Sequence, residues 1–194
     1  MKTVIIEGTD NVGKDTIINR LTEEFKHNVV IHCEKPENDT PLNQSLKQEN
    51  TFAKLLGENI YYNNSLRNNK EFLFIHNRSW YGEYVYGCMY RKNDEKYVKN
   101  MIFNLELLLN NNIDENDIVY ITLLSDNMDF LVRNDDGLSL SDAKKELIEE
   151  ETRRFEKIYI LSTIKNKHIV YVNNGDKFRD KDDIYNEVKK YIGL

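Results

Sequence analysis

Residues 7–16 read Glu7-Gly8-Thr9-Asp10-Asn11-Val12-Gly13-Lys14-Asp15-Thr16 and fit Gly-x-x-x-x-Gly-Lys, the core of a phosphate-binding P-loop. The flanks suit that motif. Before it, Val4-Ile5-Ile6 is a short β-branched run, which predicts a buried strand. After it, Ile17, Ile18, Leu21 and Phe25 recur at helical spacing. The segment therefore predicts strand, glycine loop, helix. Glycines at 8 and 13 allow backbone conformations that a Cβ forbids. The loop amides and the positive helix end can then enclose a phosphate, and Lys14 can reach the β- and γ-phosphates as a mobile charge. One position departs from the motif. Asp15 stands where Ser or Thr ordinarily ligates Mg²⁺, and Thr16 follows it. A carboxylate is also a hard-cation ligand, so either residue is a candidate for the metal.

The rest of the chain alternates in the same way. Apolar runs at 29–33, 72–76, 118–124 and 168–172 predict four more strands. Helices are expected over 44–69, 80–91, 95–110, 126–132, 141–157 and 181–192, alternating with the strands. In the helix over 44–69, the expected apolar face is Leu46, Phe52, Leu55, Leu56 and Ile60. Five apolar strands separated by helices predict one domain, 1–194, with a parallel sheet covered on both faces. Ligands in such sheets bind beyond the carboxyl ends of the strands. The P-loop, 34–39, Asn77-Arg78 and 124–126 all fall at those ends. Arg78 suits a clamp on an anionic oxygen, since guanidinium donates two parallel hydrogen bonds to phosphate. The pattern thus points to phosphoryl transfer, which depends on alignment and charge neutralisation. A net charge of −6 argues against a general nucleic-acid binder. No apolar run approaches the length of a membrane span and no signal peptide is evident. Cys33 and Cys88 follow no metal-ligand spacing and read as reduced thiols of a cytoplasmic protein.

Glu7 to Lys14 resembles the Glu-Gly-x-Asp-Gly-x-Gly-Lys start of thymidylate kinases. Asn77-Arg78 resembles that family's Asp-Arg pair, and Lys35-Pro36 its Glu-Pro after the second strand. Glu149-Glu150-Glu151 with Phe155 and Tyr159 resembles its helix after the lid. Gly82-Glu83-Tyr84-Val85-Tyr86-Gly87 and Tyr90-Arg91 are similar to bacteriophage deoxynucleoside monophosphate kinases. The resemblance implies a three-layer P-loop kinase fold with strand order 2-3-1-4-5 and a lid over roughly 133–141. It also implies ATP and Mg²⁺, a nucleotide substrate, a homodimer, and the host cytoplasm for a phage-encoded chain.

By position, Gly8, Asn11, Val12, Gly13, Lys14, Asp15 and Thr16 hold ATP and its metal, with Asn173 and Asn174 near the adenine. Asp10 bonds the acceptor's sugar or positions its phosphate, which Arg78 holds. Lys35 and Pro36 lie on the substrate side, and Arg133 is the lid arginine nearest the phosphates. Tyr81 and Tyr86, with Trp80 and Tyr90, are candidates to line the base pocket. Asn77 replaces an aspartate that serves the metal, and Asp15 is a candidate to supply the missing carboxylate. Where the family has a thymine-reading glutamine, this chain has Gly87. That predicts a kinase that takes dTMP without being confined to it. The alternatives are a deoxynucleoside kinase, suggested by Asn77-Arg78-Ser79, and a nucleotide-binding protein without catalysis.

Overall fold

The computed structural model describes residues 1–33, 39–66, 69, 71–137 and 139–194. Three elements open the chain: β1 (Lys2–Gly8), α1 (Lys14–Glu24) and β2 (Asn28–His32). Then come α2 (Pro41–Leu66), β3 (Leu73–Asn77), α3 (Trp80–Gly82), a π-turn (Glu83–Gly87) and α4 (Cys88–Tyr90). The second half holds α5 (Glu95–Asn112), β4 (Ile118–Leu124), α6 (Met128–Arg133), α7 (Lys145–Leu161) and β5 (Lys167–Tyr171). It closes with the hairpin β6 (Asn173–Asn174) and β7 (Lys177–Phe178), then α8 (Lys181–Ile192). Five strands form one sheet in the order β2-β3-β1-β4-β5, and every pairing in it is parallel. That is the expected order. β1 lies at the centre, so the P-loop that follows it emerges mid-sheet, between the ends of β3 and β4.

Successive strand residues point to opposite faces, and the two cores divide accordingly. Val4 and Ile6 of β1, Leu73 and Ile75 of β3 and Val119 and Ile121 of β4 pack under Ile17, Ile18 and Leu21 of α1 and Val188 and Ile192 of α8. Ile5, Ile118 and Tyr120 face the other way, against Leu56 of α2, Trp80 and Tyr81 of α3, Met101, Leu105 and Leu109 of α5 and Ile158 of α7. Strands buried on both sides read as continuous apolar runs, which is why the inner strands β1, β3 and β4 stand out in the sequence; the edge strands β2 and β5 are only partly buried.

Three local expectations are corrected. The buried face of α2 is Gln48, Phe52, Leu56, Asn59 and Asn63, while Leu46 is exposed. Asn59 is stable inside because its amide is satisfied: Oδ1 accepts from Thr3 Oγ1 at 3.0 Å, and Nδ2 lies 2.9 Å from His76 Nε2. Burial holds His76 down to about 4. The helix expected from 141 begins at Lys145, because Asp142 and Ala143 adopt left-handed backbone with φ of 50° and 55°. The hairpin β6–β7 was not anticipated. Among the described residues, no helix is long and apolar enough to cross a membrane.

Candidate active site

At the carboxyl end of β1 the chain turns through two glycines that the geometry requires. Gly8 has φ 147°, and a Cβ there would sit 2.1 Å from the carbonyl oxygen of Leu123 on β4. Gly13 has φ 80° and occupies the N-cap of α1 with no side chain capping the helix. The first amides of α1 are thus left to an anion. Asn11 is also left-handed, at φ 62°, a conformation that Asn tolerates better than most residues. Val12 packs inward and anchors the loop to the core. Lys14 is buried, and its Nζ donates to the carbonyl oxygens of Gly8 and Thr9 at 2.8 and 2.5 Å. Burial pushes the Lys14 ammonium below its ordinary range, while the neighbouring Asp10 opposes that shift.

The end of β3 supplies the second cation. Arg78 has φ 63°, a strained conformation for a residue with a Cβ. Its Nη2 lies 3.6 Å from Asp10 Oδ1, with the guanidinium half exposed to the cleft. Glu7 of β1 fixes this turn from beneath. Its Oε1 accepts from both the amide and the hydroxyl of Ser79, at 2.5 and 2.7 Å. Glu7 thereby ties the P-loop strand to the Arg78 loop. Burial raises the Glu7 carboxyl, and the Ser79 hydrogen bonds oppose the rise.

Asp15 and Asn77 are hydrogen-bonded to each other. Asn77 Nδ2 donates to Asp15 Oδ1 at 2.8 Å and lies 3.0 Å from His32 Nδ1. The amide thus positions the carboxylate. Asp15 and Thr16 are both exposed and line the cleft. Two hard oxygen donors beside the phosphate loop suit Mg²⁺.

The cleft holds about 650 Å³ and includes Gly8, Asp10 to Thr16, Arg78 and Tyr86. This volume suits nucleotide-sized ligands. Of the expected lid, Asp136, Ser139 and Leu140 reach the cleft. Gln48, Phe52, Glu83 and Arg91 also line the cleft. Glu83 is almost fully buried, yet it faces this cavity. Its Oε2 pairs with Arg91 Nη2, and its Oε1 accepts from Asn93 Nδ2 at 2.5 Å. A Cβ on Gly87 would lie 2.5 Å from Glu83 Oε1 and 2.9 Å from Asn93 Nδ2. Position 87 is therefore not an open slot for a base-reading side chain: the Glu83 cluster fills it. A further carboxylate lies behind the site. Glu151 on α7 is buried and accepts from the Tyr90 hydroxyl at 2.5 Å. Burial pushes Glu151 up to about 7, with Asp10 and Asp135 adding to the rise and Tyr90 and Lys14 opposing it.

Several expected site residues lie elsewhere. Tyr81 is a core residue. Its hydroxyl donates to Glu106 at 2.5 Å, and its ring stacks on Tyr120 at 4.2 Å. Trp80 is likewise buried. Asn173 ties the hairpin together, donating to Asp126 at 2.6 Å and to the Gly175 carbonyl at 3.0 Å. Neither Asn173 nor Asn174 lines the cleft; Phe178 and Arg179 line it from that side. Arg133 does not line the cleft and pairs with Asp176 at 2.9 Å on the surface. Lys35 and Pro36 lie outside the described residues. Glu7, Phe52, Glu83 and Asn93 were not among the site residues expected from the sequence. The available signal was a pair of charges, Glu83 and Arg91, inside an otherwise aromatic helical run.

No protein-family model matches the chain, and neither does any curated protein. Among solved structures, it is similar to the YorR protein of Bacillus subtilis, determined in complex with phosphorylated GDP. Identity is 14% and the TM-score 0.60, over 100% of this chain and 96% of that one. It is also similar to thymidylate kinase from Candida albicans, whose description notes broad substrate specificity. There identity is 15% and the TM-score 0.60, over 99% of this chain and 91% of that one. The central parallel sheet in the order 2-3-1-4-5, flanked by helices on both faces, is the thymidylate-kinase-like P-loop fold.

Proposed function

We propose that this protein transfers the γ-phosphoryl group of ATP to a deoxynucleoside monophosphate, giving the diphosphate. One observation carries the reading: Lys14 and the P-loop amides share a single cleft with Arg78, whose guanidinium is held over Asp10 at 3.6 Å. A nucleotide triphosphate on the loop and an anionic acceptor at Arg78 would then face each other. That arrangement suits in-line transfer, in which the protein aligns the groups and neutralises charge. Lys14 would leave its carbonyl partners for phosphate oxygens. Arg78 would hold the acceptor phosphate, and Asp10 would orient Arg78 and receive the sugar hydroxyl. Asp15 and Thr16 would hold Mg²⁺, which supplies charge neutralisation to the phosphates when bound. Phe178 and Arg179 are better placed than Asn173 and Asn174 to border the adenine.

The acceptor range extends beyond dTMP. Gly87 offers no base-reading side chain. The two solved structures named above, one holding phosphorylated GDP and one described as broad in specificity, favour the same reading. dTMP and at least one other deoxynucleoside monophosphate should agree within about tenfold in kcat/KM, the scale of discrimination by shape alone. The protein acts as a homodimer, a reading supported by the exposed row Phe103, Leu107 and Leu108 on α5. The activity is tested by a coupled ADP-release assay across nucleosides and monophosphates, with and without Mg²⁺. Phosphorylation of thymidine and of no monophosphate would make it a deoxynucleoside kinase. ATP binding without transfer to any acceptor would remove catalysis altogether.

A further inference from the structure

Beside the phosphate loop, the first turn of α1 meets the ends of β3 and β2. In the parallel pairing of those strands, His32 stands directly opposite Asn77. Residues two apart share a face of a strand. Asn77 therefore follows Leu73 and Ile75 onto the face that α1 covers, and His32 follows Val30. Asp15 lies in the first turn of α1. The three side chains form a chain of hydrogen bonds: Asn77 Nδ2 lies 2.8 Å from Asp15 Oδ1 and 3.0 Å from His32 Nδ1. Chemistry fixes the direction of both. An ionised carboxylate only accepts, so the amide presents its nitrogen to Asp15. The same nitrogen faces His32, so Nδ1 is the acceptor there and the ring proton sits on Nε2. Both N–H bonds of the amide are then used. Its oxygen, Oδ1, is buried with no partner among the described residues. The orientation of the Asn77 amide therefore rests on Asp15 and His32. Of the three, Asp15 alone lines the cleft, and His32 is exposed at the end of an edge strand.

We propose that His32 is a positioning residue for the divalent cation: through Asn77 it sets the orientation of the Asp15 carboxylate. The inference rests on the reading of Asp15 as a Mg²⁺ ligand in the site proposed above. An exposed aspartate at a helix start has several rotamers, and holding a metal costs it that freedom. Asn77 lowers this cost only if the amide is itself held. Without His32, the amide keeps one bond at Nδ2 and none at Oδ1. It can then turn its oxygen toward Asp15, where two acceptors repel. With His32 in place, the flipped amide would also set Oδ1 against the Nδ1 lone pair, so that state is excluded twice. Partners that orient a metal ligand in this way are worth about 10–100-fold in metal affinity.

The test separates the metal from the nucleotide. Calorimetry gives the affinity for AMP-PNP, the imido analogue of ATP, with and without Mg²⁺. The ratio of the two affinities is the coupling between metal and nucleotide. His32→Leu removes the acceptor and should lower that ratio by about tenfold, the lower end of the range for partners that orient a ligand. Affinity in the absence of Mg²⁺ should not change. His32→Asn restores an acceptor, since its Oδ1 is bonded to Cγ as Nδ1 is, and it should recover most of the ratio. A ratio unchanged in His32→Leu would overturn the proposal, as would equal losses in the two variants. A fall in both affinities together would mark His32 as support for the fold alone and overturn it too. So would a wild-type affinity that Mg²⁺ does not raise. Coupling that depends on His32, in a protein that transfers phosphate to no acceptor, would support the positioning role and overturn the kinase reading.

Discussion

Gly87→Ala tests the cluster behind the base end of the cleft, and its sign is the informative quantity. Gly87 has helical backbone, with φ −63° and ψ −48°. On backbone grounds alone, alanine there should stabilise the chain by about 0.5–1 kcal/mol. The surroundings predict the opposite. The new Cβ would fall 2.5 Å from Glu83 Oε1, 2.7 Å from Glu83 Cδ and 2.9 Å from Asn93 Nδ2. The first contact is about 1 Å inside ordinary van der Waals separation. Glu83 cannot yield cheaply, because Arg91 and Asn93 hold both of its oxygens. Overpacking of this kind costs about 1–3 kcal/mol, and displacing the carboxylate weakens a buried ion pair as well. The expected net effect is a loss of about 1–2 kcal/mol, or a Tm lower by about 3–6 °C in a domain of this size. Gly57 on α2 is the control, since a Cβ there meets nothing within 4 Å. Gly57→Ala should stabilise slightly. Urea unfolding of both variants reads the difference. A Gly87→Ala protein as stable as the wild type, or more so, would show that the Glu83 cluster is not fixed as described.

Three further outcomes follow from the same structure. Glu151 has its folded pKa raised from 4.5 to about 7, so between those values the native chain binds a proton that the unfolded chain has lost. Stability should therefore rise as pH falls through 7, and Glu151→Gln should remove about 2 kcal/mol of that rise between pH 8 and 5.5; parallel pH profiles for the two proteins would refute this. Asp15→Ala should weaken turnover and its Mg²⁺ dependence far more than ATP binding measured without metal, whereas unchanged metal dependence would transfer the role to Thr16 or to water. Leu107→Lys on α5 should shift a dimer to monomer in sedimentation, and an unchanged sedimentation coefficient would rule out that face as the interface.

Much of the architecture was legible because its signals are local. The inner strands are apolar runs buried on both faces, and the P-loop carries its own glycines. The order of the strands came from the resemblance, since periodicity does not reveal which strands pair. The base end of the cleft was misplaced for a physical reason. Glu83–Gly87 is a π-turn, wider than the α-helix assumed when counting forward from Asn77. Glu83 and Tyr86 of that turn line the cavity, while Tyr81, which precedes it, packs against Tyr120 in the core. Arg133 and Asn173 were assigned by position after an element, yet each finds a nearer carboxylate, Asp176 and Asp126. Contacts across some forty residues leave no mark in the spacing of the chain.

The most direct measurement is transfer of labelled γ-phosphate from ATP to a panel of deoxynucleoside monophosphates, resolved by anion exchange. The wild-type protein should yield labelled diphosphate. Lys14→Met should abolish the product, and Arg78→Ala should lower transfer by about 10²-fold or more while ATP binding persists. Label passing to no monophosphate, or undiminished transfer by the Lys14 variant, would contradict the account.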